Sequence, residues 1–125
     1  MKFMLLIYND PAKLDAIKGE RFNAEMRDCL AHADQLRAGG SLLDTQMLED
    51  PERAKSVRVR NGHLTTTDGP FAETKEVLGG FNLIEAESME EAVRIAAEFP
   101  WIRTGCVEVR PVRDVEMVRA RVAKQ

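Results

Sequence analysis

Histidine, cysteine, tryptophan and tyrosine are scarce in this chain: two His, two Cys, one Trp and one Tyr. His32 and His63 lie far apart, and Cys29 and Cys106 share no short spacing. Protein metal sites draw several such ligands from short, regular spacings, so no metal site is read here. A Walker loop, a dinucleotide fingerprint and a Ser-centred elbow are all missing, and no cofactor is expected. No apolar run approaches the roughly 18 residues that span a bilayer. The opening MKFMLLIYNDP carries one lysine and too short an apolar run for a signal peptide, so it reads as a first strand and the chain as cytoplasmic. The 18 basic and 21 acidic residues, net charge -3, are spread along the chain. That spread argues against a nucleic-acid partner, which needs a clustered basic face, and gives no polybasic membrane signal.

What is present suits one packed domain. The 125 residues are near the common domain size, and 44% of them are hydrophobic. Cys29 and Cys106 sit inside apolar patterns and are expected as buried thiols, not a disulfide.

The pattern predicts the elements in turn. Lys2–Tyr8 is a continuous apolar run stopped by Asn9-Asp10-Pro11, as in a central strand buried on both faces. Between Arg21 and Arg37, Phe22, Met26, Cys29, Leu30, Ala33 and Leu36 recur at helical spacing, and Gly39-Gly40 ends the helix. Ala12–Glu20 reads as a short helix or a loop, and Ser41–Leu48 as a strand. In SVRVRNGHLTTT, Asn61-Gly62 marks a two-residue hairpin turn, because both positions need positive φ. Its Arg58 and Arg60 side is expected to be the solvated one. Val77–Ala86 is a second strand apolar on both faces. Ser88 and Glu91 form a capping box for a helix whose shared face is Met89, Ala92, Val93, Ala96 and Phe99, ended by Pro100. Val107 and Val109 alternate with Glu108 and Arg110 in a last half-buried strand, Gly105–Val112. Residues 1–113 are read as the domain and 114–125 as a charged segment with helical spacing.

Two βαβ halves around an inserted hairpin predict an α+β fold, a ferredoxin-like βαββαβ plait. Helices cover only one side of a four-stranded sheet. The apolar second side calls for a cover, and a second copy of the sheet is the simplest one. A homodimer packed sheet to sheet is therefore expected, with a small-molecule ligand in the space between.

TDGPFAETKEVLGGFNLIEA, with GCVEVRPV and the opening MKFMLLIY, resembles the DGPF-domain branch of the YCII-related family, over roughly Met1 to Val112. The resemblance implies a dimeric α/β barrel. It implies little about activity: such members are mostly uncharacterised small bacterial proteins, some lying beside extracytoplasmic-function sigma factors. A His–Asp catalytic pair has been suggested in the wider family. Its Asp carries over to Asp68 through the DGPF motif. Its His does not: the usual helix position falls near Asp28 or Cys29, with His32 about one turn further on, and a second position used in relatives is Phe99 here.

Asp68 is the single catalytic candidate. In an enclosed pocket it would act as acid or base; in an Asp-Gly turn it would accept backbone N–H groups. Gly69 and Pro70 read as turn-makers, and Phe71 and Trp101 as core or interface anchors. Lys75 either holds an anionic ligand group or belongs to a solvated charged loop with Glu73 and Glu76. Glu108 and Arg110 share a strand face, where they pair structurally or Arg110 grips a carboxylate or phosphate. Tyr8 offers a phenolic hydroxyl nearby. Gly79-Gly80 marks a bulge or a close backbone approach. Asp28 and His32 share a helix edge and read as a solvated pair. The rival to ligand binding is a regulatory protein acting through contacts, with a sigma-factor system as the candidate partner, on its hairpin and C-terminal segment.

Overall fold

The computed structural model describes residues 1–71 and 74–124, which leaves Glu73 of the charged loop outside the described residues. Strand β1 (Lys2–Asn9) leads into a short helix α1 (Pro11–Ala16) and a long helix α2 (Glu20–Ala38). Strand β2 (Leu42–Met47), the hairpin β3 (Lys55–Arg60) and β4 (His63–Asp68), and strand β5 (Val77–Glu85) follow. Helix α3 (Met89–Ala97), strand β6 (Gly105–Pro111) and helix α4 (Val115–Ala123) complete the chain. The protein is mixed α+β. Its main sheet has four strands in the order β2-β5-β1-β6, paired antiparallel throughout. The two runs read as apolar on both faces, β1 and β5, are the central strands.

Strand alternation gives this sheet two unlike faces. Phe3, Leu5 and Ile84 point to the helices and are fully buried. Each such side chain contributes roughly 1.5–3 kcal/mol by leaving water. Val107 and Val109 pack against the same core, as their alternation predicts. The opposite face carries Met4, Leu6, Tyr8, Phe81 and Leu83, all only half-buried in a single chain.

Helices α1 and α3 both start on a side-chain cap. Asp10 accepts from the Ala12 amide at 3.0 Å, with Pro11 in the first helical position of α1. Ser88 caps α3 by accepting from the Glu91 amide at 3.1 Å. The Glu91 carboxylate reaches back to the Glu87 amide at 2.9 Å, one residue before the cap. The buried side of α3 is Ala92, Ile95 and Ala96, followed by Phe99, whereas Met89 and Val93 are exposed. The core lies under Ile95, so the helix is turned from the expected face.

His32 corrects a second expectation. It is buried, not solvated beside Asp28. Its ring meets Phe99 edge-on at 4.4 Å, and Nε2 lies 3.2 Å from the Ile95 carbonyl oxygen. A carbonyl can only accept, so Nε2 carries the proton. Nδ1 lies 3.5 Å from the Glu98 carboxylate. The side chain thereby ties α2 to the end of α3.

The hairpin forms at Asn61-Gly62, both at positive φ, with Val59 opposite Leu64 and Val57 opposite Thr66. It is a separate two-stranded sheet. Arg60 is exposed as expected, but the apolar side is solvated as well. Val57, Val59 and Leu64 are widely exposed, whereas Arg58 and Thr65 are half-buried. Alternation sets which residues share a face, but only a packed neighbour makes that face an interior. Helix α4 is also exposed along its length, apart from half-buried Val118. Among the described residues no helix is long and apolar enough to cross a membrane.

Candidate functional site

A cavity of about 810 Å³ opens between the helical layer and the β2–β5 side of the sheet. Phe22, Met26 and Cys29 of α2 form one wall, Ile7 and Gly80 the sheet wall, and Trp101 the inner end. The size is that of a pocket for a small organic molecule. The mouth carries five exposed carboxylates, Asp15, Asp34, Glu49, Asp50 and Glu52, against one guanidinium, Arg37.

Two amides stand out in this apolar wall. Asn82 is 2% exposed and occupies the helix-facing row of β5, between Leu5 of β1 and Thr45 of β2. Asn9, at the end of β1, has a buried Oδ1 with no hydrogen-bond partner among the described residues. Buried amide oxygens are nearly always satisfied, so an orphan beside a cavity points to a missing partner. The glycine pair shapes the same wall. The β1–β5 register shifts between Ile7 and Tyr8, which makes Gly79 a bulge, and a Cβ there would collide with the Asn9 amide. A Cβ on Gly80 would sit 2.6 Å from the Gln46 carbonyl oxygen.

The inner end is held by a buried indole. Trp101 Nε1 donates to Cys29 Sγ at 3.2 Å, and its ring lies 6.0 Å from that of Phe22. Burial pushes the Cys29 thiol up from its ordinary value, with the indole N–H opposing in part. A thiol held in its protonated form is a poor nucleophile. Cys106 is exposed, not buried as expected, and its thiol is also pushed up, by desolvation first and then by Glu76 and Glu108. Among the described residues no group of three or more His, Cys, Asp or Glu is placed to hold a metal ion.

Comparison with known proteins now decides the family. Residues 1–116 match the YCII-related domain. The chain belongs to the YCII-related family. It is 36% identical over 114 residues to an uncharacterised protein of Rhizobium meliloti (strain 1021), covering 90% of this chain and 92% of that one. Its fold is similar to that of 5-chloro-2-hydroxyhydroquinone dehydrochlorinase from Burkholderia phenoliruptrix AC1100, solved in complex with 2,5-dihydroxybenzoquinone. The TM-score is 0.55 at 17% identity, over 94% of this chain and 98% of the other.

In this YCII-related chain Asp68, Tyr8, Lys75, Glu108 and Arg110, the candidate site residues from sequence, do not line the cavity, whereas Gly79-Gly80 and Trp101 do. Asp68 ends β4 and is exposed, its Oδ1 2.6 Å from Lys55 Nζ across the hairpin base. The Gly69 amide donates to Ala54 at 2.7 Å, and Ser56 Oγ donates to the Gly69 carbonyl at 2.8 Å. Those bonds close the hairpin, so one chain forms a corner at Asp68 and no enclosed pocket. Phe71 is 81% exposed, which leaves the interface part of its reading and removes the core part. Lys75 is exposed too, with Nζ 3.8 Å from Oδ2 of buried Asp10, so the anion it faces is the chain's own. Tyr8, Glu108 and Arg110 lie together on the open sheet face, where Arg110 pairs with Glu108.

Asn82, Asn9 and Asp10 went unnoticed in the sequence. A signal existed for Asn82: in GGFNLIEA it stands two residues before buried Ile84, a polar residue in phase with an interior row. Asn9 and Asp10 looked like a stop signal because both precede a proline. The packing of Thr104 and Gly79 against that corner buries Asp10 and the side-chain oxygen of Asn9.

Proposed function

We propose that this chain binds a small organic molecule in the cavity between α2 and the sheet, as one half of a homodimer. The observation that carries this reading is an apolar pocket walled by the buried amide of Asn82 and by Asn9, whose buried Oδ1 is an orphan acceptor. The fold's likeness to a dehydrochlorinase bound to a dihydroxybenzoquinone favours a ring-shaped ligand with hydrogen-bonding substituents. The acidic mouth favours a neutral or cationic one, since like charges at the entrance repel an anion. Aromatic side chains and the amides of the sheet wall suit a ring that donates and accepts hydrogen bonds.

The antiparallel strand order supports a ferredoxin-like plait, and the uncovered apolar face of β1 and β5 supports a dimeric α/β barrel. We place the chain in the DGPF branch on its motif. Asp68 reaches a ligand only if a second copy is brought against it, so its acid–base role belongs to the dimer. The same holds for Tyr8, Glu108 and Arg110 on the face between the sheets, and for Lys75 beside Asp10. The proposed setting is the cytoplasm.

Calorimetric titration and thermal shift with neutral dihydroxybenzenes, aromatic amines and benzoate test the site. Neutral or cationic rings should stabilise the wild type, and Asn82→Leu should abolish the effect while keeping the fold. Stabilisation that survives Asn82→Leu would move the ligand elsewhere.

A second reading rests on the hairpin. Val57, Val59 and Leu64 form an exposed apolar strip on an arm that stands off the body. It suits a regulatory protein contact, a sigma-factor system among the options. Val59→Asp with Leu64→Asp should then abolish capture of a partner and leave ligand binding intact.

A further inference from the structure

A second, smaller pocket lies behind α1, away from the large cavity. Its volume is about 210 Å³, and Lys13, Ile17, Arg21, Glu25, Arg103 and Thr104 line it. Helix α1 separates the two spaces: Leu14 and Asp15 face the large cavity, whereas Lys13 and Ala16 face the small one.

The small pocket differs in charge from the acidic mouth. Lys13, Arg21 and Arg103 face one carboxylate, Glu25, an excess of two positive charges. Arg103 Nη2 donates to Glu25 Oε2 at 2.7 Å, which holds that guanidinium in place. Lys13 and Arg21 form no ion pair among the described residues. One wall residue also has an unmet polar group. Thr104 is 6% exposed, and its Oγ1 is buried without a hydrogen-bond partner among the described residues. A hydroxyl can donate to an anion's oxygen, and a guanidinium offers its fork of N–H groups to phosphate or carboxylate.

We infer that this pocket binds a small phosphate-type dianion. Two uncompensated cations from α1 and α2 match its charge. The fixed Arg103 supplies direction, and the Thr104 hydroxyl a further donor. The volume equals roughly seven liquid-water shares, more than the five heavy atoms of a phosphate fill. The remaining room suits a phosphomonoester with a small organic part. The site is independent of the large cavity's ligand, yet the two share a wall. Trp101 lines the large cavity, and Arg103 and Thr104 follow it within three residues. The only tryptophan of the chain therefore reports on the pocket.

The test titrates the full chain with inorganic phosphate, with glycerol phosphate, and with chloride at matched ionic strength. Trp101 emission and thermal shift are both followed. A saturable response to a phosphate compound, absent with chloride, is expected. A tighter fit for the ester assigns an organic phosphate; equal binding assigns the free ion. Lys13→Gln with Arg21→Gln, both at exposed positions, should weaken binding at least tenfold. Thr104→Val should weaken it severalfold. Arg37→Gln, at the mouth of the large cavity, should leave the response in place. No saturable response, an unchanged response in the double variant, or a loss caused instead by Arg37→Gln would each overturn the proposal.

Discussion

The indole N–H of Trp101 donates to Cys29 Sγ across 3.2 Å, joining the turn after α3 to the middle of α2. The thiol lies half-buried at the inner end of the cavity, where burial holds its proton against the opposing pull of the indole N–H. The consequence is a pH dependence of fixed sign. Below the ordinary thiol value of 9.0 both folded and unfolded chains keep the proton. Above it the unfolded chain releases it first, so this contribution to stability is lost as pH rises through the raised native value. Urea midpoints from pH 7.5 to 10 should fall more steeply for the wild type than for Cys29→Ala. Parallel curves would remove Cys29 from the account. At pH 8 a thiol reagent should label exposed Cys106 first.

His32 predicts a cost in stability. Its ring fills space against Phe99 and satisfies the Ile95 carbonyl. His32→Ala leaves a void and an unmet buried acceptor, at about 2–4 kcal/mol. Chemical denaturation measures this directly. A change under about 0.5 kcal/mol, the size of an ordinary surface substitution, would mean that the α2–α3 contact carries no weight.

Gly80 predicts a local break. A Cβ there lies 2.6 Å from the Gln46 carbonyl oxygen, so β2 must move away from β5. Gly80→Ala should cost about 1–3 kcal/mol as overpacking. Hydrogen exchange should quicken along β2 before it does along β1. Uniform exchange across the sheet would contradict this account.

Asp68 predicts a small effect on folding. Its bond to Lys55 is exposed at both ends, and such pairs contribute about 0–1 kcal/mol. Asp68→Asn should therefore unfold at nearly the wild-type denaturant concentration. Any larger effect on ligand turnover than on stability would then report chemistry in the proposed dimer.

Leu6 tests the open face. It lies between Phe81 and Glu108 in adjacent strands, half-buried with no cover from its own chain. Leu6→Asp should leave a folded chain by circular dichroism and shift a dimer to monomer by light scattering. A wild type that is monomeric at micromolar concentration would end the dimer proposal.

Much of the fold was legible because its signals are local. Asn61-Gly62 specifies a turn from two adjacent residues, and Ser88 with Glu91 starts α3 within one helical turn. The long apolar runs of β1 and β5 placed both strands at the centre of the sheet. The site was less legible. Asp68 drew notice for its motif, yet its carboxylate closes a hairpin onto Lys55. Asn82 looked like one polar residue in an apolar strand, and its importance depends on the cavity opposite it.

The sequence by itself determined the strand and helix order, the hairpin turn and the membership of the YCII-related family. Each of these depends on neighbours along the chain. Tertiary structure decided which faces are interior. His32 went in because α3 lies across it, Val57 and Val59 stayed out because no described residue covers that side of the hairpin, and Asn9 and Asn82 became walls of a cavity. Burial depends on what a residue meets across space, and periodicity records only which residues turn the same way.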